Sequence, residues 1–407
     1  MTTLQAIKIT ERVYWVGAID WGLRDFHGYR TSRGSTYNAY LILGEQPILV
    51  DTVKANFWSE MLTRINSIID PTKIKYIISN HSEMDHSGCL LKAIDLIHPK
   101  KVFASKSGAQ TLQEHFHCSH CLITPVKNGE KIQLGNTDLT FMETKMVHWP
   151  DSMFTYFENE GVLFSQDGFG MHLASEHFFV DMNELSVIRY EAAKYYANIL
   201  LPYSSQVITT LDSLVVFNIK PQLIAPDHGP VWRGEKNIHY ITELWRKWAR
   251  QESYLKTIII YDTMWQSTEK MAITIADSIT AVGGDGVEVR VMPLSGSHRS
   301  DIAVELLEAG ALLIGSPTIN QQIFPTIADI ICYLKGLKRK NLIGQVFGSY
   351  GWGAESIKIL QEEFKNMAVE TIAEPVKAKY IPTDDTLTAC RILGEKIATV
   401  LNDRNND

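Results

Sequence analysis

Strand-like and helix-like segments alternate strictly over residues 255–407, and this alternation restricts the fold more than any other feature of the chain. Apolar, β-rich strands are predicted at 257–261, 287–293, 311–315, 341–348 and 369–375. Helices are predicted at 268–282, 301–309, 326–337, 353–366 and 384–401, with a polar tail after residue 401 that we expect to fray. Such alternation is typical of a doubly wound parallel sheet in an α/β domain.

Residues 1–254 have a different order, with several short strands before any repeated helical pattern. Strands are predicted at 13–16, 38–43, 47–51, 74–79, 139–144, 154–157 and 162–165, and a helix at 57–69. A chain of 407 residues also exceeds the size of one ordinary core. The sequence therefore predicts two domains, 1–254 and 255–407, each with an α/β fold.

The overall composition is that of a soluble globular enzyme, with 45% hydrophobic and 21% charged residues. A net charge of −7 disfavours nucleic acid as a partner. No apolar run approaches the ~18–20 residues of a membrane-spanning helix, and the N-terminus lacks the pattern of a secretory signal. Five irregularly spaced cysteines fit a reducing compartment, so we expect no membrane partner and a cytoplasmic location.

Four side chains that can bind a metal ion fall within six residues, at His81, Glu83, Asp85 and His86. Wider spacing separates three further candidates, which are His148, Asp167 and His228. Four histidines and three carboxylates without cysteine suit two hard-to-borderline divalent metals held close together, with Asp167 shared between them. A single His or Asp near a strand end is usually a capping or packing group, but the density of the cluster favours a metal site.

Other histidines and cysteines allow weaker interpretations. His27 and His172 could line the same pocket or orient a ligand, although ordinary polar packing explains them equally well. A dense second cluster comprises His115, His117, Cys118, His120 and Cys121. Its Cys-x-x-Cys spacing suits zinc or redox chemistry, but a closed zinc site usually needs a second half-motif, and none is found.

Three loops that follow predicted strands of the second domain carry hydroxyl and aromatic side chains. Hydroxyl groups around the start of the first helix can hold a phosphate, as in flavodoxin-like domains that bind flavin mononucleotide (FMN), and aromatic rings can stack on the flavin. The candidate FMN-binding residues are Thr263, Met264, Trp265, Gln266, Ser267, Thr268, Pro317, Thr318, Ile319, Asn320, Ser349, Tyr350, Gly351, Trp352 and Gly353. Gln266 stands where this type of phosphate loop commonly has glycine.

The His-x-Glu-x-Asp-His motif, followed by His148, Asp167 and His228, resembles the metallo-β-lactamase-like domain of the flavodiiron proteins. The flanking segments 79–81, 148–153 and 196–199 agree with that family, and the resemblance covers nearly the whole chain. It implies an N-terminal αβ/βα sandwich and a C-terminal flavodoxin-like sheet. The hydrolase branch of the superfamily usually has His where this chain has Glu83, and a carboxylate suits redox-active iron better than zinc.

The resemblance implies that His81, Glu83 and His148 hold one iron, that Asp85, His86 and His228 hold the other, and that Asp167 bridges them. In some members the histidine at the position of His86 is displaced from the metal. The implied activity is reduction of dioxygen to water, of nitric oxide to nitrous oxide, or both, with electrons relayed through FMN. The implied assembly is a head-to-tail homodimer or a dimer of such dimers, and the implied electron donor is a rubredoxin-like protein or a reduced deazaflavin.

Two alternatives remain open from the sequence. A dinuclear zinc hydrolase with a flavodoxin-like module would cleave esters, thioesters or phosphodiesters. A flavin electron carrier would use the first domain only as a scaffold, and its electron transfer would survive loss of the metals.

Overall fold

The computed structural model describes residues 4–117 and 123–406. By internal packing, the described chain divides into two compact units. One unit contains the chain through Tyr195 together with Ser205–Arg246, and the other contains Tyr196–Ser204 and the chain from Lys247 onward. Packing thus groups residues 196–204 with the second unit, whereas the domain boundary between residues 254 and 255 stays a prediction.

Within its described residues, the first unit begins with eleven short strands. In chain order they are β1 (Ile7–Lys8), β2 (Val13–Trp15), β3 (Ala18–Asp20), β4 (Asp25–Phe26), β5 (Tyr29–Arg30), β6 (Ser35–Tyr37), β7 (Tyr40–Ile42), β8 (Ile48–Val50), β9 (Tyr76–Ile78), β10 (Lys101–Ser105) and β11 (Ile123–Val126). Seven of them form a sheet in the order β1-β2-β7-β8-β9-β10-β11, which is antiparallel as far as β8 and parallel beyond it. The pairs β3–β6 and β4–β5 form separate two-stranded ribbons.

A second sheet of six strands follows in simple chain order. Its strands are β12 (Lys131–Leu134), β13 (Thr137–Glu143), β14 (Met153–Phe157), β15 (Val162–Phe164), β16 (Leu223–Ala225) and β17 (Trp232–Arg233). Alternate residues of the two sheets, such as Trp15 and Tyr40 on one and Phe141 and Phe164 on the other, belong to one buried cluster. Because successive side chains of a strand point to opposite faces, one face of each sheet packs into a shared core.

The residues between these, which point to the other face of the first sheet, include Leu41, Leu49 and Ile77. They belong to a second buried cluster that also contains residues of three helices. Those helices are α1 (Trp58–Asn66), α3 (Leu90–Ile97) and α4 (Lys106–Phe116), and the short α2 (Met84–Ser87) precedes α3. Later helices are α5 (Leu185–Tyr195), α6 (Ser204–Val216) and α7 (Glu235–Arg250).

The second unit contains one parallel sheet with helices between its strands. Its strands are β18 (Lys256–Tyr261), β19 (Glu288–Pro293), β20 (Ala311–Gly315), β21 (Ile343–Tyr350), β22 (Glu370–Thr371) and β23 (Val376–Lys379). Its helices are α8 (Ser267–Gly283), α9 (Arg299–Leu307), α10 (Pro325–Leu337), α11 (Glu355–Asn366) and α12 (Asp384–Asn406). The order β19-β18-β20-β21-β22, with β23 also paired to β21, confirms the predicted doubly wound parallel sheet.

Two details of this domain differ from the prediction. Of the fifth strand predicted at 369–375, only Glu370–Thr371 is a strand, β22. A further strand, β23, begins at Val376, just after the predicted range, and the two pair with different parts of β21. Pro375 has no N–H to donate to a sheet, which is one reason why pairing does not run through this stretch. The tail predicted to fray is helical to Asn406, because Leu401 is fully buried and Arg404 pairs with Glu370.

One helical stretch, Leu185–Val216, is long and apolar enough to cross a membrane when judged by length and composition alone. A single stretch of this kind is weak evidence, because core helices pass the same test. A π-helical segment, Tyr196–Leu200, and a short 3₁₀ helix, Leu201–Tyr203, also interrupt it.

The second histidine and cysteine cluster falls partly outside the described residues. His115 lies in the last turn of α4, and His117 ends that helix with a left-handed conformation at φ 48°. The prediction about Cys118, His120 and Cys121 concerns residues outside those that the structure describes.

Candidate metal centre and flavin cleft

All seven candidate metal-binding side chains lie on segments that follow strands of the first unit. His81 comes three residues after β9, and Glu83 directly precedes α2, which contains Asp85 and His86. The remaining candidates follow three strands of the second sheet, with His148 after β13, Asp167 after β15 and His228 after β16. Two sheets that share one core thus bring together residues separated by more than 140 positions.

The seven side chains form two groups whose donor atoms lie within 4.8 Å of one another. Members of one group are His81, Glu83, His148 and Asp167, and members of the other are Asp85, His86 and His228. All seven are buried or nearly so, since the side chains of Glu83 and His148 are 15% exposed and the others at most 4%. Water therefore competes little for these donors.

Asp167 connects the two groups, because its two carboxylate oxygens face different histidines. Oδ2 lies 2.9 Å from His148 Nε2 and 3.4 Å from His81 Nε2. Oδ1 lies 3.2 Å from His86 Nε2 and 3.5 Å from His228 Nε2. A carboxylate with this arrangement can bridge two metal ions.

The spacing of the donors fits metal ions. Donor atoms that each lie ~2.1 Å from one ion are separated by roughly 3.0–3.4 Å. Glu83 Oε2 lies 3.3 Å from both His81 Nε2 and His148 Nε2, and Asp85 Oδ2 lies 3.2 Å from His228 Nε2. Both oxygens of Asp85 and Oδ1 of Asp167 are buried without a hydrogen bond from any described residue. Unpaired buried carboxylate oxygens are costly, and a cation compensates them.

The electrostatics of the pocket also favour cations. Burial lowers the pKa of His86, but the carboxylates of Asp85 and Asp167 outweigh burial and raise this pKa to about 10. Burial opposes ionisation of Glu83, yet hydrogen bonds from His148 and His81 hold its pKa well below the ordinary range. The pocket therefore concentrates negative charge that only bound cations or protonated histidines can balance.

Three of the four histidines have a second partner that orients the ring. His81 Nδ1 lies 3.0 Å from Asp151 Oδ2, and His228 Nδ1 donates a 2.6 Å hydrogen bond to the backbone oxygen of Thr36. His86 Nδ1 lies 3.4 Å from Asp227 Oδ2. Each arrangement leaves Nε2 facing the donor group, as in metal sites where the outer nitrogen of a ligand histidine is held.

Sequence reasoning missed these outer partners. Asp151 is within the quoted segment 148–153, and Asp227 directly precedes His228, so a carboxylate next to a candidate ligand was the available signal. Thr36 contributes only its backbone oxygen, for which no sequence signal exists. Asp151 also accepts hydrogen bonds from the backbone N–H and the hydroxyl of Ser82, both at 2.7 Å, which fixes its carboxylate.

The two additional histidines occupy different environments. His27 lies on the turn between β4 and β5, is 77% exposed in its side chain and places Nε2 3.9 Å from Glu83 Oε1. His172 is fully buried, and its ring centroid lies 4.6 Å from that of His228. Burial lowers the pKa of His172 well below the usual value, and His228 lowers it further, so this ring is neutral.

Tyr195 is a neighbour of the pocket that the sequence did not reveal. It is the last residue of α5 and is buried, with its ring 5.1 Å from that of His172 and 6.1 Å from that of His228. Burial raises the pKa of its hydroxyl well above the ordinary value, and the charge of Asp167 raises it further. The hydroxyl is therefore a neutral hydrogen-bond donor or acceptor at the pocket.

The second unit contains a cleft of about 860 Å³ at the carboxyl ends of its parallel strands. Of the candidate FMN-binding residues, eleven line it, namely Met264, Trp265, Ser267, Thr318, Ile319, Asn320, Ser349, Tyr350, Gly351, Trp352 and Gly353. Gln266 lines an adjacent groove, and Thr268 is buried with its hydroxyl 3.1 Å from Ser349 Oγ. The sequence analysis missed four lining residues, which are Gln321, Glu355, Tyr380 and Ile381.

Thr263 and Pro317 are not among the lining residues, but Thr263 fits a phosphate-binding role. Its Oγ1 is buried and has no hydrogen-bond partner within the described part of the chain. It precedes α8, a helix of 17 residues whose first N–H groups are available to an anion. Gln266 caps this helix with φ 60°, so it adopts the left-handed conformation that glycine commonly provides in such loops.

The exposed aromatic residues of the cleft suit a flat ligand. Trp265 is 88% exposed and Trp352 is 92% exposed, values that are unusual for tryptophan. An isoalloxazine ring between these side chains would cover apolar surface that otherwise faces water. The cleft therefore fits FMN in both its phosphate end and its ring end.

Comparison with known proteins agrees with both halves of the chain. Residues 36–229 match the family described as ODP family beta lactamase, and residues 259–394 match the flavodoxin family. A protein named nitric oxide reductase from Moorella thermoacetica is 42% identical over 402 residues, which cover 98% of this chain and 100% of that protein.

Solved structures are similar over the same length. The rubredoxin oxygen:oxidoreductase from the anaerobe Desulfovibrio gigas has a TM-score of 0.97 and 40% identity, and the match covers 99% of this chain and 100% of that chain. The flavodiiron protein from Giardia intestinalis has a TM-score of 0.94 and 28% identity, with coverage of 99% and 98%.

The chain belongs to the flavodiiron protein family. Membership confirms the predicted fold class, a metallo-β-lactamase-like αβ/βα sandwich followed by a flavodoxin-like parallel sheet. It also makes this flavodiiron protein an oxidoreductase. The interpretation as a zinc hydrolase is correspondingly disfavoured.

Proposed function

We propose that this flavodiiron protein reduces dioxygen to water, nitric oxide to nitrous oxide, or both, with electrons relayed through FMN to a non-haem diiron site. The carboxylate of Asp167 carries this proposal, because it presents one oxygen to each of two buried donor groups. The names of the relatives, nitric oxide reductase and rubredoxin oxygen:oxidoreductase, support both gases as substrates.

The cofactors of this flavodiiron protein are two iron ions and FMN, and we assign the iron ligands as follows. One iron would be held by His81, Glu83 and His148, the other by Asp85, His86 and His228, and Asp167 would be shared between them. The composition of the two donor groups and the two-sided contacts of Asp167 support this assignment. Glu83 favours iron over zinc because a hard, anionic oxygen donor suits a metal that cycles between charges.

When bound, the diferrous pair and the reduced flavin supply two electrons each, which matches the four that dioxygen needs and exceeds the two needed by two molecules of nitric oxide. The residues of the chain mainly fix geometry. Asp151 and the backbone of Thr36 hold the rings of His81 and His228 so that Nε2 of each points inward. The near-complete burial of the donors excludes bulk water, which limits side reactions.

The flavin cleft is proposed to hold FMN with its phosphate at the start of α8 and its ring between exposed indoles. The hydroxyl of Thr263, which has no partner among the described residues, would donate to the phosphate. Trp265 and Trp352 would cover the faces of the ring. Burial of the hydroxyl and exposure of both tryptophans support this orientation.

Metal analysis tests the proposal against its alternatives. Protein purified without oxygen should contain two irons and one FMN per chain, and the same sample should consume dioxygen or nitric oxide when a reductant is supplied. Comparing the two rates gives the preference between the gases. Two zinc ions with esterase activity and no gas consumption would indicate a hydrolase. Electron transfer that survives iron removal, without gas consumption, would indicate a flavin carrier.

We further propose a separate electron donor, a dimeric assembly and a cytoplasmic location. A rubredoxin-like protein is the favoured donor, because the Desulfovibrio relative is named for rubredoxin, and a reduced deazaflavin is the alternative. The assembly is a head-to-tail homodimer, alone or as a dimer of dimers, in which the FMN of one chain serves the irons of its partner. A fully active monomer in analytical ultracentrifugation would contradict the assembly, and donor titrations would identify the reductant.

A further inference from the structure

His172 has a buried polar atom that neither donor group uses. The residue is fully buried, and its Nδ1 lies 2.8 Å from Ser35 Oγ. Its Nε2 has no hydrogen-bond partner in the part of the chain that the structure describes. An unpaired buried polar atom destabilises the protein, so a ligand for this atom would remove a real penalty.

The surroundings of His172 restrict that ligand to a small molecule. Three aromatic rings enclose the imidazole, those of Phe26, Tyr29 and Tyr195, each with its centroid 5.1 Å from the imidazole centroid. On a further side the imidazole contacts His228, which we assign as an iron ligand. A partner for Nε2 must therefore fit beside the metal site between largely apolar walls, which suits a diatomic molecule.

Hydrogen bonds around Ser35 determine which nitrogen of His172 carries the proton. His228 Nδ1 contacts the backbone oxygen of Thr36 at 2.6 Å, and a carbonyl only accepts, so His228 Nδ1 is the donor. Ser35 Oγ, 3.3 Å from that same N–H, can only accept from it. The hydroxyl hydrogen of Ser35 is then available for another acceptor.

Two acceptors compete for the hydroxyl hydrogen of Ser35, and the closer one is His172 Nδ1. That nitrogen lies at 2.8 Å, whereas the backbone oxygen of Thr36 lies at 3.2 Å. If His172 Nδ1 accepts this hydrogen bond, the neutral ring carries its own hydrogen on Nε2. In that tautomer, the atom without a partner is a hydrogen-bond donor.

We propose that His172 donates a hydrogen bond from Nε2 to the diatomic substrate, and that Ser35 is a positioning residue that selects this tautomer. The proposal rests on the function proposed above. As electrons enter dioxygen or nitric oxide, negative charge develops on an oxygen atom, and a fixed donor in a water-poor pocket stabilises that charge. His172 thereby acts as a catalytic residue without ligating metal.

Vibrational spectroscopy of bound nitric oxide tests this role independently of turnover. The probe is nitric oxide added to the reduced holoenzyme without oxygen, and the readout is the N–O stretching frequency in H₂O and in D₂O. In H172F the frequency should rise and lose its sensitivity to D₂O, because phenylalanine fills the aromatic enclosure but donates nothing. H172Q retains an N–H group and should restore part of the shift.

Kinetic measurements on the same proteins complete the test. H172F should lower kcat by about tenfold or more with a smaller change in KM, because the donor acts mainly as charge develops. S35A keeps His172 but removes the hydroxyl that selects one tautomer of its ring. Both tautomers should then be populated, so two N–O bands should replace one. H177Q removes an exposed histidine five residues away and should match the wild type.

Iron and FMN content per chain confirms that each variant is folded. An unchanged frequency and D₂O response in H172F with full cofactors would overturn the role of His172. If H172F does not fold, a single unchanged band in S35A would overturn the proposal, and two bands would support it. A wild-type enzyme that binds no nitric oxide and consumes neither gas would instead refute the proposed function.

Discussion

The metal pocket and the flavin cleft differ in how much of each site the chain builds by itself. Donor atoms of the metal pocket are buried and lie within 4.8 Å of one another in each group, and three of the four histidines are held by outer partners. In the flavin cleft, by contrast, Trp265 and Trp352 are 88% and 92% exposed. The comparison teaches that the chain alone fixes the geometry of the metal donors, whereas the indoles of the flavin cleft are covered only when the flavin binds.

Removal of the carboxylate that we propose as the bridge between the irons should have the largest effect. Asp167→Ala removes one carboxylate oxygen from each of the two donor groups. We expect a loss of gas-reducing activity well above the ~10–100-fold typical of outer-partner mutations. Metal analysis should show loss of both irons while FMN content stays at one per chain. Asp95→Ala changes an exposed carboxylate and is the matched control. Retention of both irons in Asp167→Ala would contradict a bridging role.

Loss of an outer partner should have an intermediate effect. Asp151→Asn keeps the shape of the side chain but removes the charge that faces His81 Nδ1 at 3.0 Å. We expect iron affinity to fall by about 10–100-fold, measured as the rate of iron loss to a chelator. The FMN dissociation constant should not change. If Asp151→Asn loses iron to the chelator no faster than the wild type, then Asp151 is not needed to pre-organise the metal pocket.

Removal of the proposed phosphate donor Thr263 should weaken FMN binding without destabilising the apoprotein. Thr263→Val deletes a buried hydroxyl that has no partner among the described residues. A hydrogen bond to a charged group contributes about 1.5–3 kcal/mol, so the FMN dissociation constant should rise by at least tenfold. The melting temperature of the FMN-free protein should not fall, because valine leaves no polar atom unpaired.

The matched control for that variant is Thr280→Val, which changes an exposed threonine near the other end of α8. It should leave the FMN dissociation constant unchanged. An unchanged dissociation constant in Thr263→Val, measured by flavin fluorescence, would show that this hydroxyl does not face the phosphate.

The smallest effect is expected at Gln266. Its backbone is already left-handed at φ 60°, so Gln266→Gly changes no backbone geometry of the loop. Relief of the left-handed strain is worth only about 1–2 kcal/mol, and part of it is offset by the greater entropy of unfolded glycine. We expect an FMN dissociation constant close to that of the wild type in a fluorescence titration. A large loss of affinity would show that the glutamine side chain itself contacts the flavin.

The alternating domain was predicted more fully than the first domain, for a physical reason. Strand β20 was predicted with its observed bounds, Ala311–Gly315. A short apolar run between two helical patterns indicates a buried strand from the local sequence alone. Strands such as β3, with the sequence Ala-Ile-Asp, and β6, with Ser-Thr-Tyr, were missed because polar residues interrupt any apolar run there. The prediction of a frayed tail was wrong because Leu401 packs into a core that the local sequence does not describe.

In the candidate sites, the sequence offered a signal for the proposed ligands but little for the residues that support them. His81 and Glu83 stand in a dense motif, so their chemistry is visible in the sequence. Asp151 supports His81 across 70 positions, and Ser35 contacts His172 across 137, so only the fold brings these pairs together. The assignment of the seven iron ligands stays a prediction until metal is measured.

The near-complete exposure of Trp265 and Trp352 has a practical consequence. Both indoles line the cleft, whereas Trp15, Trp232, Trp245 and Trp248 are fully buried. Flavins quench the emission of tryptophan at short range, and emission from water-facing indoles is shifted to longer wavelength. Trp21, which is 57% exposed and does not line the cleft, also emits at the red edge. The loss of red-edge emission relative to the flavin-free protein should therefore report how many molecules in a preparation carry their flavin, without any added label.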